Sequence, residues 1–123
     1  MSAKNLPLLA TAVVHTLLSL GHTTKGFEMF GNLSINSLPT AIRTAVKAGW
    51  YEGSVFFAMM AILNYKWSQT GLVDSADKAI ASLLTTLLLG AGTSYYRGGD
   101  KPTGVILAVA GALQGWSARQ AAL

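Results

Sequence analysis

Cysteine is absent from this sequence, so a disulfide framework, a thiolate zinc site and a cysteine nucleophile are all excluded. Charge is scarce as well. Asp, Glu, Lys and Arg make up 11% of the residues, against roughly 25% in an ordinary soluble domain. That scarcity excludes intrinsic disorder, which needs many charges and little hydrophobicity, and makes the ordinary soluble domain a poor fit. Acids are the rarest charged residues: five Asp and Glu oppose nine Lys and Arg, for a net charge of +4. No phosphate loop, nucleophile elbow or dinucleotide fingerprint occurs, and no internal repeat is evident.

What the chain does have is apolar sequence. Hydrophobic residues make up 51% of its 123 positions, the mean hydropathy is +0.43, and the length suits one domain. A pI near 9.6 raises the question of nucleic acid, but the distribution answers against it. Lys4, Lys25, Arg43, Lys47, Lys66, Lys78, Arg97, Lys101 and Arg119 sit singly, mostly at the ends of apolar runs. That pattern suits lipid headgroups, and no nucleic-acid partner is expected.

Four apolar segments stand out, at about 6–22, 48–67, 78–96 and 103–120. Each is close to the ~20 residues that cross a hydrocarbon core as a helix. The expected fold is therefore all-α: a polytopic membrane protein, a four-transmembrane-helix bundle forming one integral membrane domain over 1–123. Lys4 ahead of the first run also fits a signal peptide; a retained helix is the expectation. Pro7 suits a first helical turn. Asp74 or Ser75 is a candidate cap for the third helix, and Arg97-Gly98-Gly99-Asp100-Lys101-Pro102 reads as a turn that makes helices three and four an antiparallel hairpin. The connection 23–47 is too long for a simple turn. Ser37 as cap and Pro39 in the first turn predict a helix start. The segment from Thr40 to Lys47 is then either an interfacial helix or the wet beginning of a long second helix, with Gly49 a plausible bend.

Orientation is not legible, because four basic residues fall on one side of such a topology and five on the other. Asn32-Leu33-Ser34 is a glycosylation sequon. The endoplasmic reticulum is a candidate location for this integral membrane chain.

Helix faces suggest roles. Gly104, Ala108, Gly111, Ala112 and Gly115 form a small-residue pattern of the kind that packs membrane helices closely, either within the chain or in a homodimer through Gly111 and Gly115. Ser82, Thr85, Thr86, Thr93 and Tyr96 lie near one face of the third segment. Their hydroxyls either bond back to their own helix or line a polar cavity.

The candidate site residues lie in the first two segments. His15, Ser19 and His22 form one stripe, since positions 15 and 22 are seven apart. An ionisable group at membrane depth is costly and usually faces the protein interior, and histidine is suited to proton exchange near neutrality. Glu52 is the acid within an apolar run. At membrane depth it would favour its neutral, proton-donating form unless His15 or His22 ionises it. Trp50 and Tyr51 beside it, Phe56 and Met59 near its face, Asn64 further along and Ser19 on the first helix are candidate substrate contacts. A two-His-one-carboxylate metal set from His15, His22 and Glu28 or Glu52 is disfavoured, because a spacing of seven separates the histidines by about 10 Å along a helix; no metal and no cofactor are expected.

His15-Thr16-Leu17-Leu18-Ser19-Leu20-Gly21-His22 followed by Trp50-Tyr51-Glu52-Gly53 resembles small polytopic membrane proteins of microbial, especially fungal, secondary metabolism. Some of these are cyclases, isomerases or epoxide hydrolases acting on polyketides or terpenoids. The resemblance lies in helix layout and scattered acid and histidines, and it implies acid–base chemistry on a small lipophilic ligand. Small multidrug transporters are less similar, because their membrane acid lies in the first helix.

The leading expectation is thus a cofactor-independent intramembrane enzyme in which Glu52 is the acid or water-activating base, His15 its partner and His22 a reserve. A proton-coupled exporter and a non-catalytic assembly subunit are the alternatives.

Overall fold

The structure, a computed structural model, describes residues 5–122; Lys4 lies outside them. The described chain is all-helical: α1 (Leu6–Met29), α2 (Leu33–Asn36), α3 (Thr40–Thr70), α4 (Ser75–Arg97) and α5 (Lys101–Ala121). No strand forms among the described residues beyond a single bridge pair, Leu72 with Ala122.

Local chemistry sets the helix ends. The Leu8 amide donates to the Asn5 side chain at the start of α1. Asp74 caps α4 by accepting from the Asp77 amide at 2.8 Å. Asp100 caps α5, with Pro102 in its first turn. Between α4 and α5 the chain turns through Gly99 at φ +99°, a conformation glycine adopts without steric cost.

Two boundaries differ from the sequence expectation. Helix α1 continues past His22 to Met29, and the Thr23 and Thr24 hydroxyls donate to the Ser19 and Leu20 carbonyls as it does so. Helix α3 runs unbroken through Gly49 for 31 residues. The segment after Pro39 is thus the beginning of a long helix, not a separate interfacial one. At 1.5 Å per residue it measures about 46 Å, well over the ~30 Å of a hydrocarbon core. Ser37 does not start α3; it caps the C-terminus of α2, its hydroxyl donating to the Ser34 carbonyl.

By length and composition α1 and α4 can cross a membrane. Helices α3 and α5 are comparably long but hold no stretch of bilayer length as apolar as those two. All four carry large apolar side chains on exposed faces, among them Leu17, Ile62, Leu83 and Val109.

The chain divides into two compact units, one containing residues 13–62 and the other the described residues 5–12 and 63–122. In the second, Leu8, Trp67, Leu72, Ala81, Ala118 and Ala121 form an apolar core. Its largest member, Trp67, is fully buried with an indole N–H that has no acceptor among the described residues. The α4–α5 hairpin is held by close backbone approach. A Cβ at Gly104 would lie 2.7 Å from the Gly92 carbonyl oxygen, and one at Gly92 2.9 Å from the Ala108 amide nitrogen. Further along, Gly111 faces Leu88 and Leu89, and Gly115 faces Thr85. The small-residue stripe is therefore covered by α4 of the same chain. Ala112 is exposed and stands off this face. The hydroxyls of Ser82, Thr85, Thr86 and Thr93 each donate to the carbonyl four residues back.

This unit also holds a buried polar layer. Asn64 and Gln114, both 0% exposed, exchange two amide hydrogen bonds of 2.9 Å each. Thr11 and Ser117 hydroxyls lie 3.1 Å apart. The Thr11 proton goes to the Pro7 carbonyl at 2.8 Å, so Ser117 donates within the pair.

Candidate functional site

The α1 stripe predicted from spacing exists and is longer than expected. His15, Ser19, His22 and Gly26 recur at intervals of four, three and four, which keeps them on one helical face. Trp50, Ser54 and Phe57 recur on α3 in the same way. The two stripes meet in the 13–62 unit.

His22 is the centre of the contact. Its ring stacks on the Trp50 indole, with centroids 4.0 Å apart and planes 9° from parallel. Phe57 meets it edge-on at 5.5 Å. His22 Nδ1 and Ser54 Oγ share a hydrogen bond of 2.9 Å. Trp50 Nε1 donates to the His22 carbonyl at 2.7 Å, and the Ser19 hydroxyl donates to the Ser54 carbonyl at 2.7 Å. Ser54 is only 7% exposed. Small residues make this packing possible. A Cβ at Gly26 would fall 2.6 Å from Trp50 Nε1, and one at Gly53 would fall 3.0 Å from His22 Cε1.

Around this centre the aromatic side chains continue. Phe30 sits edge-on to both Trp50 and Tyr51, and the Lys47 ammonium lies 5.6 Å from the Phe30 ring centroid, within cation–π range. Phe27 tilts against Tyr51 at 6.1 Å. His15 is fully buried and lies 6.1 Å from the Phe57 ring.

Of the residues predicted from sequence, His22, Ser19, Trp50 and Tyr51 gather in this cluster, and His15 reaches it through Phe57. Glu52 does not. It is two residues from both Trp50 and Ser54, so at 100° per residue it is turned about 200° away from them, and it is exposed. The pairing of Glu52 with His15 is corrected accordingly. Met59, 56% exposed, is turned outward too, and Phe56 is half-buried against Phe57. The expected substrate face of Glu52, Phe56 and Met59 is thus mainly an outer face. Asn64 belongs to the buried amide pair with Gln114.

Among the described residues no three His, Asp or Glu side chains gather closely enough to hold a metal ion. Sequence reading missed Ser54, Phe57, Gly26 and Phe30. The available signal was the second stripe: Trp50, Ser54 and Phe57 repeat the spacing that singled out His15, Ser19 and His22.

This arrangement provides an imidazole nitrogen bonded to a buried hydroxyl, held flat against an indole. Such a pair can accept, relay and return a proton. Comparison with protein-family models, curated proteins and solved structures found no match to the chain.

Proposed function

We propose that this chain is an integral membrane enzyme that performs acid–base chemistry on a small lipophilic substrate, with His22 and Ser54 as its proton-handling pair. The observation that carries the reading is the 2.9 Å bond between His22 Nδ1 and Ser54 Oγ, at a hydroxyl withdrawn from solvent. With the ring proton on Nε2, Nδ1 accepts from Ser54 and polarises its hydroxyl; the other tautomer reverses the donor. Stacking on Trp50 limits rotation of the imidazole. Cyclisation, isomerisation and epoxide opening need only such a placed acid and base. In this reading α1, α3, α4 and α5 each cross the bilayer, four spans in all, which the exposed apolar faces of α3 and α5 support.

Comparative mass spectrometry of organic-solvent extracts tests the chemistry. Hosts expressing the wild-type chain, His22→Ala, Ser54→Ala or no chain are compared. A compound converted to an equal-mass product only by the wild-type chain indicates an isomerase or cyclase. A product heavier by one water indicates a hydrolase. Matching extracts from cells that contain the protein would overturn the reading.

The outward position of Glu52 favours a second reading, a non-catalytic subunit of a membrane assembly. That reading expects a stoichiometric protein partner on mild-detergent purification and full function in His22→Ala.

A further inference from the structure

Helix α3 is one unbroken helix from Thr40 to Thr70, and the face of it that carries Glu52 is exposed. Glu52, Met59 and Lys66 recur along this face in steps of seven, a spacing that drifts only about 20° per step on an α-helix. All three are exposed, and Val55 and Ile62 beside them are 60% and 71% exposed. The face is thus an apolar strip holding an acid and a base two steps apart, about 21 Å along the axis, with Met59 midway. Helix α3 itself supplies neither charge with a partner: positions 48–56 hold no Lys or Arg, and positions 62–70 hold no Asp or Glu.

We infer that this face pairs with the same face of a second copy lying antiparallel, about a two-fold axis near Met59, so that Glu52 of each copy meets Lys66 of the other. The charge pattern selects both the occupant and its direction. An antiparallel pair sets an acid against a base at two places, whereas a parallel two-fold pair sets Glu52 against Glu52 and Lys66 against Lys66, which repel. When α3 spans the bilayer with Met59 at mid-depth, both charges lie about 10 Å from the midplane, inside a hydrocarbon core of ~30 Å. A charge left facing lipid there is costly, and the two ion pairs offset that cost. The two-fold axis relating oppositely inserted copies lies at the midplane, and the apolar run 48–67 is centred within about two residues of Met59. Opposite insertion also needs a chain without a preferred orientation. Four basic residues on one side of the four-span topology and five on the other supply no preference. The inference rests on α3 spanning the bilayer, part of the four-span reading above, and not on the His22 chemistry.

The sequence has no cysteine, so single-cysteine variants of the full chain report cross-links without background. Membranes containing each variant are oxidised and read by non-reducing electrophoresis. Met59→Cys is expected to form a disulfide dimer, and Leu83→Cys, exposed on α4, to form none. Val55→Cys and Leu63→Cys on differently tagged chains are expected to join to each other, because the two positions are level about Met59; Val55→Cys alone is expected to join poorly. On the Met59→Cys background, Glu52→Lys or Lys66→Glu is expected to lower the dimer about ten-fold, since each sets like charges together at membrane depth. Co-expressing the two restores it, because both contacts then join opposite charges. In sealed vesicles, Ser37→Cys is expected to react with a membrane-impermeant maleimide in about half of the chains before permeabilisation and in the rest after it.

Absence of the Met59 dimer in membranes that contain the protein would leave this face to lipid or to a different protein and overturn the inference. So would a Val55 dimer stronger than the Val55–Leu63 one, which marks the parallel arrangement, or equal cross-linking by Leu83→Cys, which marks random collision. Labelling of Ser37→Cys that is all or none would overturn it while leaving the four-span reading intact. A chain recovered in solution without detergent would overturn both together.

Discussion

At the residue scale, His22 is fixed by contacts on several sides: the Trp50 face, the Phe57 edge, the Ser54 hydroxyl and the missing side chain at Gly53. Gly26 is the nearby position where this can be tested without touching the imidazole. In Gly26→Ala the new Cβ would fall 2.6 Å from Trp50 Nε1, so the indole must leave the His22 carbonyl or α1 must shift. Overpacking of this kind costs about 1–3 kcal/mol. A lowered midpoint in thermal unfolding in detergent is the expected result; an unchanged midpoint would show that Trp50 relaxes freely. The Asn64–Gln114 pair invites a different experiment. Asn64→Leu or Gln114→Leu alone removes both hydrogen bonds of the pair, at about 0.5–2 kcal/mol in a membrane setting. The double Leu variant is expected to lose less than the sum, because the second substitution finds the shared bonds already gone. A double-mutant cycle on unfolding midpoints measures the difference.

At the scale of elements, the α4–α5 hairpin depends on where its glycines point. Gly90 and Gly92 are two residues apart on one helix. A Cβ at Gly90 meets nothing within 4 Å, whereas one at Gly92 would come within 2.8 Å of the Gly104 carbonyl oxygen. Gly90→Ala is therefore expected to be neutral or stabilising by up to about 1 kcal/mol, from helix propensity alone. Gly92→Ala forces two backbones apart and is expected to destabilise by about 3 kcal/mol or more, beyond ordinary overpacking. Denaturant titration of the two variants checks the contrast, and equal effects would mean that the hairpin is looser than its geometry implies. The length of α3 belongs to this scale too. Gly49 does not interrupt the helix, since a glycine inside a helix costs only about 1 kcal/mol, too little to end one that packs Trp50, Ser54 and Phe57 along one face.

At the scale of the whole molecule, large apolar side chains stay exposed in both units. Leu6, Leu17, Leu20, Ile62, Leu83 and Val109 are each more than half exposed, and apolar surface left in contiguous patches marks contact with a membrane or a partner. The chain is expected to remain in the membrane pellet after alkaline carbonate extraction and to need detergent for release, with immunoblotting of pellet and supernatant as the readout. Recovery in the supernatant would place those faces against protein instead of lipid.

Helical character, helix number apart from the short α2, the Asp74 and Asp100 turns and the His15–Ser19–His22 stripe were all legible in the sequence, because caps and 3.6-residue periodicity are local properties of the chain. The facing direction of each stripe was not. In a soluble protein the apolar face turns inward, so Glu52, Phe56 and Met59 read as a cavity wall. In a chain with lipid outside, apolar residues suit both faces and the pattern loses its direction. Only packing in three dimensions showed that Ser54 and Phe57 meet His22 while Glu52 turns away, and that Gly111 and Gly115 face α4 of their own chain. Hydropathy alone carries no record of which small residue lies beneath which ring; that is set by the close approach of two helices, and it exists only once they have folded together.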